Sequence, residues 1–258
     1  WAKSTILTLS LLLVFFTLLQ APNRFQILYW RSSMATHFAP LVFMPYLASF
    51  ILRSISSAAK PPLSYWKYPL GFFIAFIIGG FSEPPVAVMI TLLALAFMAA
   101  WVWMKSPTRS AALSLLGWSL TGAVLALLVM AIAPGNSFRL GNPPPAFSIL
   151  ISRSFRYGVE FILNSFRTLP LPTLFTVTMP FLIFYNLHAS PNPELTQPQQ
   201  KRAWVMLAVV PMISYLLIVA SFFPSVYGQS YPVERARFAG QVCLVAGLMI
   251  EGALLGSL

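Results

Sequence analysis

Aspartate is absent from this chain, and acid of any kind is scarce: five glutamates, Glu83, Glu160, Glu194, Glu234 and Glu251, face sixteen Lys and Arg. Charged residues make up only 8% of the 258 positions, against about 25% in a soluble domain. So little charge cannot cover a water-facing surface, which excludes an ordinary soluble fold for most of the chain. One cysteine, Cys243, lies inside an apolar run and excludes a disulfide framework. The two histidines, His37 and His188, are isolated, and no His, Cys or acid group has metal-ligand spacing. Neither a phosphate-cradling glycine loop nor a serine-nucleophile elbow is present.

Apolar residues are abundant: 58% of the chain, with a mean hydropathy of +0.79. A membrane-spanning helix needs about 20 mostly apolar residues. Eight stretches are expected to be spans: Ser4–Leu19, Phe38–Leu52, Tyr68–Gly80, Pro85–Met104, Ala111–Ala133, Leu171–Ala189, Trp204–Phe223 and Phe238–Leu258. The third is short and ends in Gly79-Gly80, so it is expected to tilt or to share a tight turn with the fourth. These stretches specify an all-α fold, a polytopic transmembrane helical bundle forming a single domain over residues 1–258. No internal repeat or heptad pattern runs through it, which leaves out the paired broken helices of many transporters.

Residues 146–167 follow a different pattern. At 100° per residue, Ser152, Arg153, Arg156, Glu160, Asn164 and Arg167 fall on one arc, and apolar residues such as Phe147, Leu150, Phe155 and Phe161 fill the other. Ile149 and Ser154 break the pattern. The spacing predicts an interfacial amphipathic helix, bounded by proline runs at 143–145 and 170–172, with Arg156 and Glu160 paired across one turn.

With eight spans the loops alternate between two sides. One side holds all five lysines (Lys3, Lys60, Lys67, Lys105, Lys201) with Arg53, Arg109 and Arg202. The other is purely arginine: Arg24, Arg31, Arg139, Arg153, Arg156, Arg167, Arg235 and Arg237. The numbers are equal, so residue type rather than count assigns the lysine side to the cytoplasm and the arginine side to the outside. Arginine binds phosphate through a planar fork where lysine is a hydrated point charge. The net charge of +11 points to anionic membrane lipids as partners. Nucleic acid is excluded as a partner, because the basic residues sit in short connections rather than on one soluble face.

Four polar motifs fall on the arginine side: Leu28-Tyr29-Trp30-Arg31-Ser32-Ser33, Gly79-Gly80-Phe81-Ser82-Glu83-Pro84, Ala133-Pro134-Gly135-Asn136-Ser137-Phe138-Arg139 and Tyr231-Pro232-Val233-Glu234-Arg235-Ala236. Each has a plain structural reading. Glu83 suits a helix N-terminus, Gly135-Asn136 a helix end, and Tyr29 and Trp30 an interfacial aromatic belt. Glu234 and Arg235 suit a local ion pair. Glu251, inside the last span, is costly in lipid and implies a partner or a wet cavity.

Trp30 with Ser33 and His37, then GGFSE, then APGN with Arg139, then YPVER give the chain an ordered resemblance over Phe25–Ala236. It resembles a family of bacterial polytopic membrane proteins of unknown function that is similar to the GT-C glycosyltransferases. Members tend to carry Gly in place of Ser33 and Tyr in place of His37. The resemblance implies a GT-C-like fold in the bacterial inner membrane and a glycosyltransferase-like activity that uses a polyprenyl-phosphate-linked sugar at the outer face. No further cofactor is implied. Arg139 and Arg235 would bind the donor phosphate, Tyr29, Trp30 and Tyr231 would bound the sugar or lipid tail, and Glu83 would orient the acceptor or act as general base. Asn136 and Glu234 complete the expected site. GT-C enzymes place their acid, usually Asp, in the first outer loop, and the loop after the first span here carries only basic residues. The resemblance therefore implies an N-terminal stretch with further spans and an acidic loop ahead of Trp1. The alternative is a non-catalytic structural subunit of a larger membrane complex.

Overall fold

In the computed structural model of the chain, residues 2–57, 64–106, 108–134, 145–188 and 197–258 are described, the side chains of Ala2, Ser57, His188, Gln197, Pro198, Gln199 and Arg235 excepted. All the regular structure among them is helical. Lipid offers the backbone no hydrogen-bond partner, so an apolar run must satisfy its own amides and does so as a helix.

Ten α-helices follow in order: α1 Ala2–Leu19, the single turn α2 Arg31–Ser33, α3 Ala39–Ser57, α4 Lys67–Gly79, α5 Glu83–Trp103, α6 Thr108–Ala131, α7 Phe147–Thr168, α8 Pro170–His188, α9 Gln197–Gln229 and α10 Glu234–Ser257. Every expected span coincides with a helix. Among the described residues, six helical stretches are long and apolar enough to cross a membrane: Arg31–Ser56, Glu83–Trp103, Thr108–Ala131, Pro170–Leu187, Gln200–Gln229 and Ala236–Ser257. The first and third expected spans are shorter apolar helices, Lys3–Leu19 and Lys67–Gly79. At 1.5 Å per residue, α4 reaches only about 20 Å.

Helix limits depart from the apolar runs where polar residues extend a helix beyond its lipid-facing part. The second span was expected from Phe38, but the helical path begins at Arg31 and passes through a wide π-helical turn, Met34–Phe38, into α3. A second π-helical turn covers Phe25–Tyr29. Similarly, α9 starts in Gln197-Pro198-Gln199 and continues through Pro211 and Pro224. Neighbouring helices let proline stand inside a membrane helix.

Two apolar cores form. One gathers α3, α4, α5 and α6 around Leu47, Ala75, Val86, Leu115 and Ala123. The other gathers α5, α7, α9 and α10 around Val88, Leu150, Ile218, Phe222 and Leu244. A smaller cluster of Phe16, Val245 and Met249 seats α1 on α10. Since α4 and α5 meet through the short turn at Gly80–Ser82, the expected tight turn is present. The main partner of α4 is nevertheless α6.

Close approach holds the bundle together, because apolar side chains gain little by leaving lipid tails for one another's company. A methyl on Gly252 would strike the Val177 carbonyl, and one on Gly256 the Phe181 carbonyl, so α10 lies against the backbone of α8. In the same way Gly122 brings α6 onto the Phe72 carbonyl of α4.

Helix α7 crosses α9 steeply. Phe147 meets Phe223 and Phe161 meets Phe222, so about four turns of α7 stay at one level of α9. Conversely, Tyr157 reaches Ser230 while its near neighbour Phe155 receives a bond from Tyr215. The expected pair forms, with Arg156 Nε 2.7 Å from Glu160 Oε1.

Replacing Gly252 with Ala should destabilise the protein by about 1–3 kcal/mol, the usual cost of overpacking. Gly228→Ala, where nothing lies within 4 Å, should be neutral or mildly stabilising. Thermal unfolding in detergent checks the contrast, and equal effects of the two would show that close packing of α8 on α10 is not limiting.

Candidate functional site

The arginine-side motifs that lie within the described residues meet at one end of the bundle. The meeting begins with α1. Arg24 donates from Nη2 to the Leu19 carbonyl at 2.6 Å, placing a cation on the negative end of that helix. Asn23 then bridges outward: its Oδ1 accepts from the Gln26 amide at 3.0 Å, and its Nδ2 donates to Glu234 Oε2 at 2.8 Å. Glu234 opens α10, where the helix dipole favours an anion. The first loop and the Tyr231–Ala236 motif are thereby joined.

The turn carrying that last motif is tightly organised. Ser225 Oγ donates to the Tyr231 carbonyl at 3.0 Å and accepts from the Val233 amide at 3.1 Å. Ser230 takes a left-handed conformation, φ 65°, at the position after a helix where glycine is usual. Its carbonyl accepts from Tyr157 of α7. Arg237 donates from Nε to the Pro232 carbonyl at 2.9 Å. Gln26, Tyr231, Pro232, Val233, Glu234 and Arg237 line an open cleft of about 480 Å³. A larger hollow, about 700 Å³, lies along α9 at Gln200–Ala208; one helix alone lines it, and it gathers none of the motifs.

A second cluster joins the turn at Gly80–Ser82 to the segment leading into α3. Ser82 Oγ and His37 Nδ1 are 3.2 Å apart. Four residues before His37, Ser33 is 4% exposed, and its hydroxyl has no hydrogen-bond partner. Glu83, half-buried, is the first residue of α5, which fits the capping reading. Pro84 and Pro85 follow it, so the first turn of α5 lacks two amide donors. Phe43 stacks on Phe81 and Phe38 on Phe238, at centroid distances of 6.2 and 6.3 Å. The aromatic contacts tie this cluster to α10 and hence to the cleft.

Below the cleft a buried polar chain runs into the bundle. Gln241 donates to Gln20 Oε1 at 3.3 Å, Gln20 donates to Thr176 Oγ1 at 2.8 Å, and all three are at most 2% exposed.

The expected site residues divide accordingly. Tyr231 and Glu234 line the cleft, and Glu83 belongs to the cluster beside it. Tyr29, exposed and stacked on Phe25 at 6.4 Å, and Trp30, also exposed, lie on the first loop and do not line the cleft. Their exposure suits the belt reading. Arg235 occupies the first turn of α10, with its side chain outside the described residues, as are Asn136 and Arg139 entirely. Asn23, Gln26 and Arg237 were not among the expected residues. Only their contacts mark them, though Arg237 stands two residues beyond Arg235 in the same basic motif. Among the described residues no group of three His, Cys, Asp or Glu gathers to hold a metal ion.

No family model, no curated protein and no solved structure matches this chain. What stands established is an integral membrane protein whose described residues fold as helices, six of them long and apolar enough to span a bilayer.

Ser225→Ala removes both bonds that hold the 231–233 turn and should cost about 1–3 kcal/mol. Ser230→Gly, which relieves the left-handed strain, should preserve or raise stability. Thermal melts of the two variants measure this, and a neutral Ser225→Ala would show that the turn is held by other contacts.

Proposed function

We propose that this chain is a glycosyltransferase-like membrane protein, GT-C-like in fold, that takes a polyprenyl-phosphate-linked sugar at the arginine side of the bundle. The observation that carries the reading is the junction of the first loop with the Tyr231–Arg237 turn through Asn23 and Glu234, which forms a cleft with an arginine in its wall. Arg139 and Arg235 are the proposed phosphate ligands, and Arg237 joins them as a cleft residue. The proline-blocked first turn of α5 is a poor anion cradle, which leaves phosphate binding to guanidinium groups through charge-assisted bonds.

Glu83 is the candidate for orienting the acceptor or serving as its base, with His37 and Ser82 beside it. A general base must reach the proton it takes, and the first residue of a helix at the membrane surface is an accessible place for one. Tyr29, Trp30 and Asn136 are proposed around the headgroup, and the outer face of a bacterial inner membrane is the proposed location.

The expected outcome for Arg235→Ala or Arg237→Ala is a loss of about 1.5–3 kcal/mol per charge-assisted bond, or roughly 10- to 100-fold in affinity. Calorimetry with a short-chain polyprenyl phosphate in detergent checks it, alongside helical content by circular dichroism. Wild-type affinity in both variants removes the phosphate-binding reading.

A second reading has its own observation. Glu251 Oε1 in α10 is buried and has no hydrogen-bond partner, as expected of a residue that meets another protein within the membrane. A non-catalytic subunit of a larger complex predicts a stoichiometric partner that is retained on gentle extraction and released by Glu251→Leu. Extraction as a lone, stable chain counts against it.

A further inference from the structure

The way α7 sits on α9 divides its circumference into three sectors. At about 100° per residue, Leu150, Ser154, Gly158 and Ser165 form one narrow buried seam, flanked by half-buried Phe161. The small residues are there because the contact is close: a methyl on Gly158 would come within 2.9 Å of Val219 and 3.1 Å of Tyr215. Ser154, which breaks the amphipathic pattern of the sequence, is therefore a packing residue, fully buried.

Beside the seam lies an apolar sector that the bundle covers only in part, with Phe155 edge-on to the Tyr215 ring at 5.8 Å. Ile151, Phe155, Val159, Leu163 and Phe166 are 38–49% exposed. The third sector carries Arg153, Arg156, Glu160, Asn164 and Arg167, all exposed. Glu160 is bonded to Arg156, so Arg153 and Arg167 supply the net charge. Docking on α9 fixes the roll of the helix, and its steep crossing lays it across a span. The apolar sector then meets acyl chains while the basic sector stands at headgroup level, the arrangement of an interfacial helix.

We propose that α7 is a seat for anionic phospholipid, with Ile151, Phe155 and Phe166 among the acyl chains and Arg153 and Arg167 against the phosphates of the surrounding leaflet. Charge complementarity selects the occupant: two guanidinium groups with no acidic partner among the described residues border an apolar strip, matching a headgroup of net negative charge above its own fatty acids. The seat does not depend on donor binding, whose proposed ligands lie on other elements.

The full-length chain, reconstituted in an equal mixture of phosphatidylcholine and phosphatidylglycerol and then extracted, should retain phosphatidylglycerol in excess by native mass spectrometry. Arg153→Gln with Arg167→Gln should lower that excess about tenfold or more, from ~1 kcal/mol per basic residue near the surface and 1.4 kcal/mol per tenfold. Unchanged excess in the double variant, or none in the wild type, overturns the proposal. Nitroxide labels at Val159→Cys and Asn164→Cys test the orientation independently of lipid affinity. The Val159 label should collide mainly with oxygen dissolved in the bilayer and the Asn164 label with a water-soluble nickel chelate. Equal nickel accessibility at both positions overturns it as well.

Discussion

The contact between α8 and α10 is the constraint on which the arginine-side architecture rests. Two glycines spaced one turn apart let the backbone of one helix lie on the other. In lipid, where burying a leucine offers no advantage over leaving it among acyl chains, such contacts supply the dispersion that sets helix order. Once α8 is seated on α10, Thr176 comes within reach of Gln20, and α1 is drawn into place. The first loop follows α1, and Asn23 then finds Glu234 at the start of α10. The cleft is thus a consequence of packing well below it.

Polar groups follow a consistent division of labour. Those in the bundle interior are neutral amides and hydroxyls, paired mostly to one another or to the preceding turn, as in Gln241–Gln20–Thr176. Guanidinium groups stand at the ends, where they bond to carbonyls such as Leu19 and Pro232. Glu251 departs from this division as an acid inside a span, and one of its carboxyl oxygens is buried without a partner, as are the hydroxyls of Thr17, Ser33 and Ser154. A neutral network in a low-dielectric region strengthens each of its bonds, which suits a scaffold that must position charged residues without carrying charge inside.

Much of the fold was legible because lipid reduces the problem to length and polarity. Each apolar run became a helix, and the Arg156–Glu160 pair and the amphipathic register of α7 could be read from spacing alone. Helix limits were less legible. Arg31, Ser32 and His37 interrupt the apolar signal ahead of α3 without interrupting the helical path, and Pro224 reads as a stop but stands inside α9. The site was legible only as a list of motifs. That Asn23 and Gln26 would meet Glu234 and Arg237 depends on how α1 packs on α10, about which neither segment carries a local sign. Gly158 shows the same limit, since its place is set by Val219 and Tyr215 across the seam rather than by its own helix.

The bonds of Gln20 also bear on the order of assembly. Its partners Thr176 and Gln241 lie 156 and 221 positions further along the chain. During synthesis α1 therefore reaches the membrane long before the helices that complete it, and it waits there with an amide exposed to lipid or borrowed water. Non-local contacts of this kind close last and slow the final step. Insertion of α10 retires that waiting amide, so the cleft comes into being only when α10 is in place.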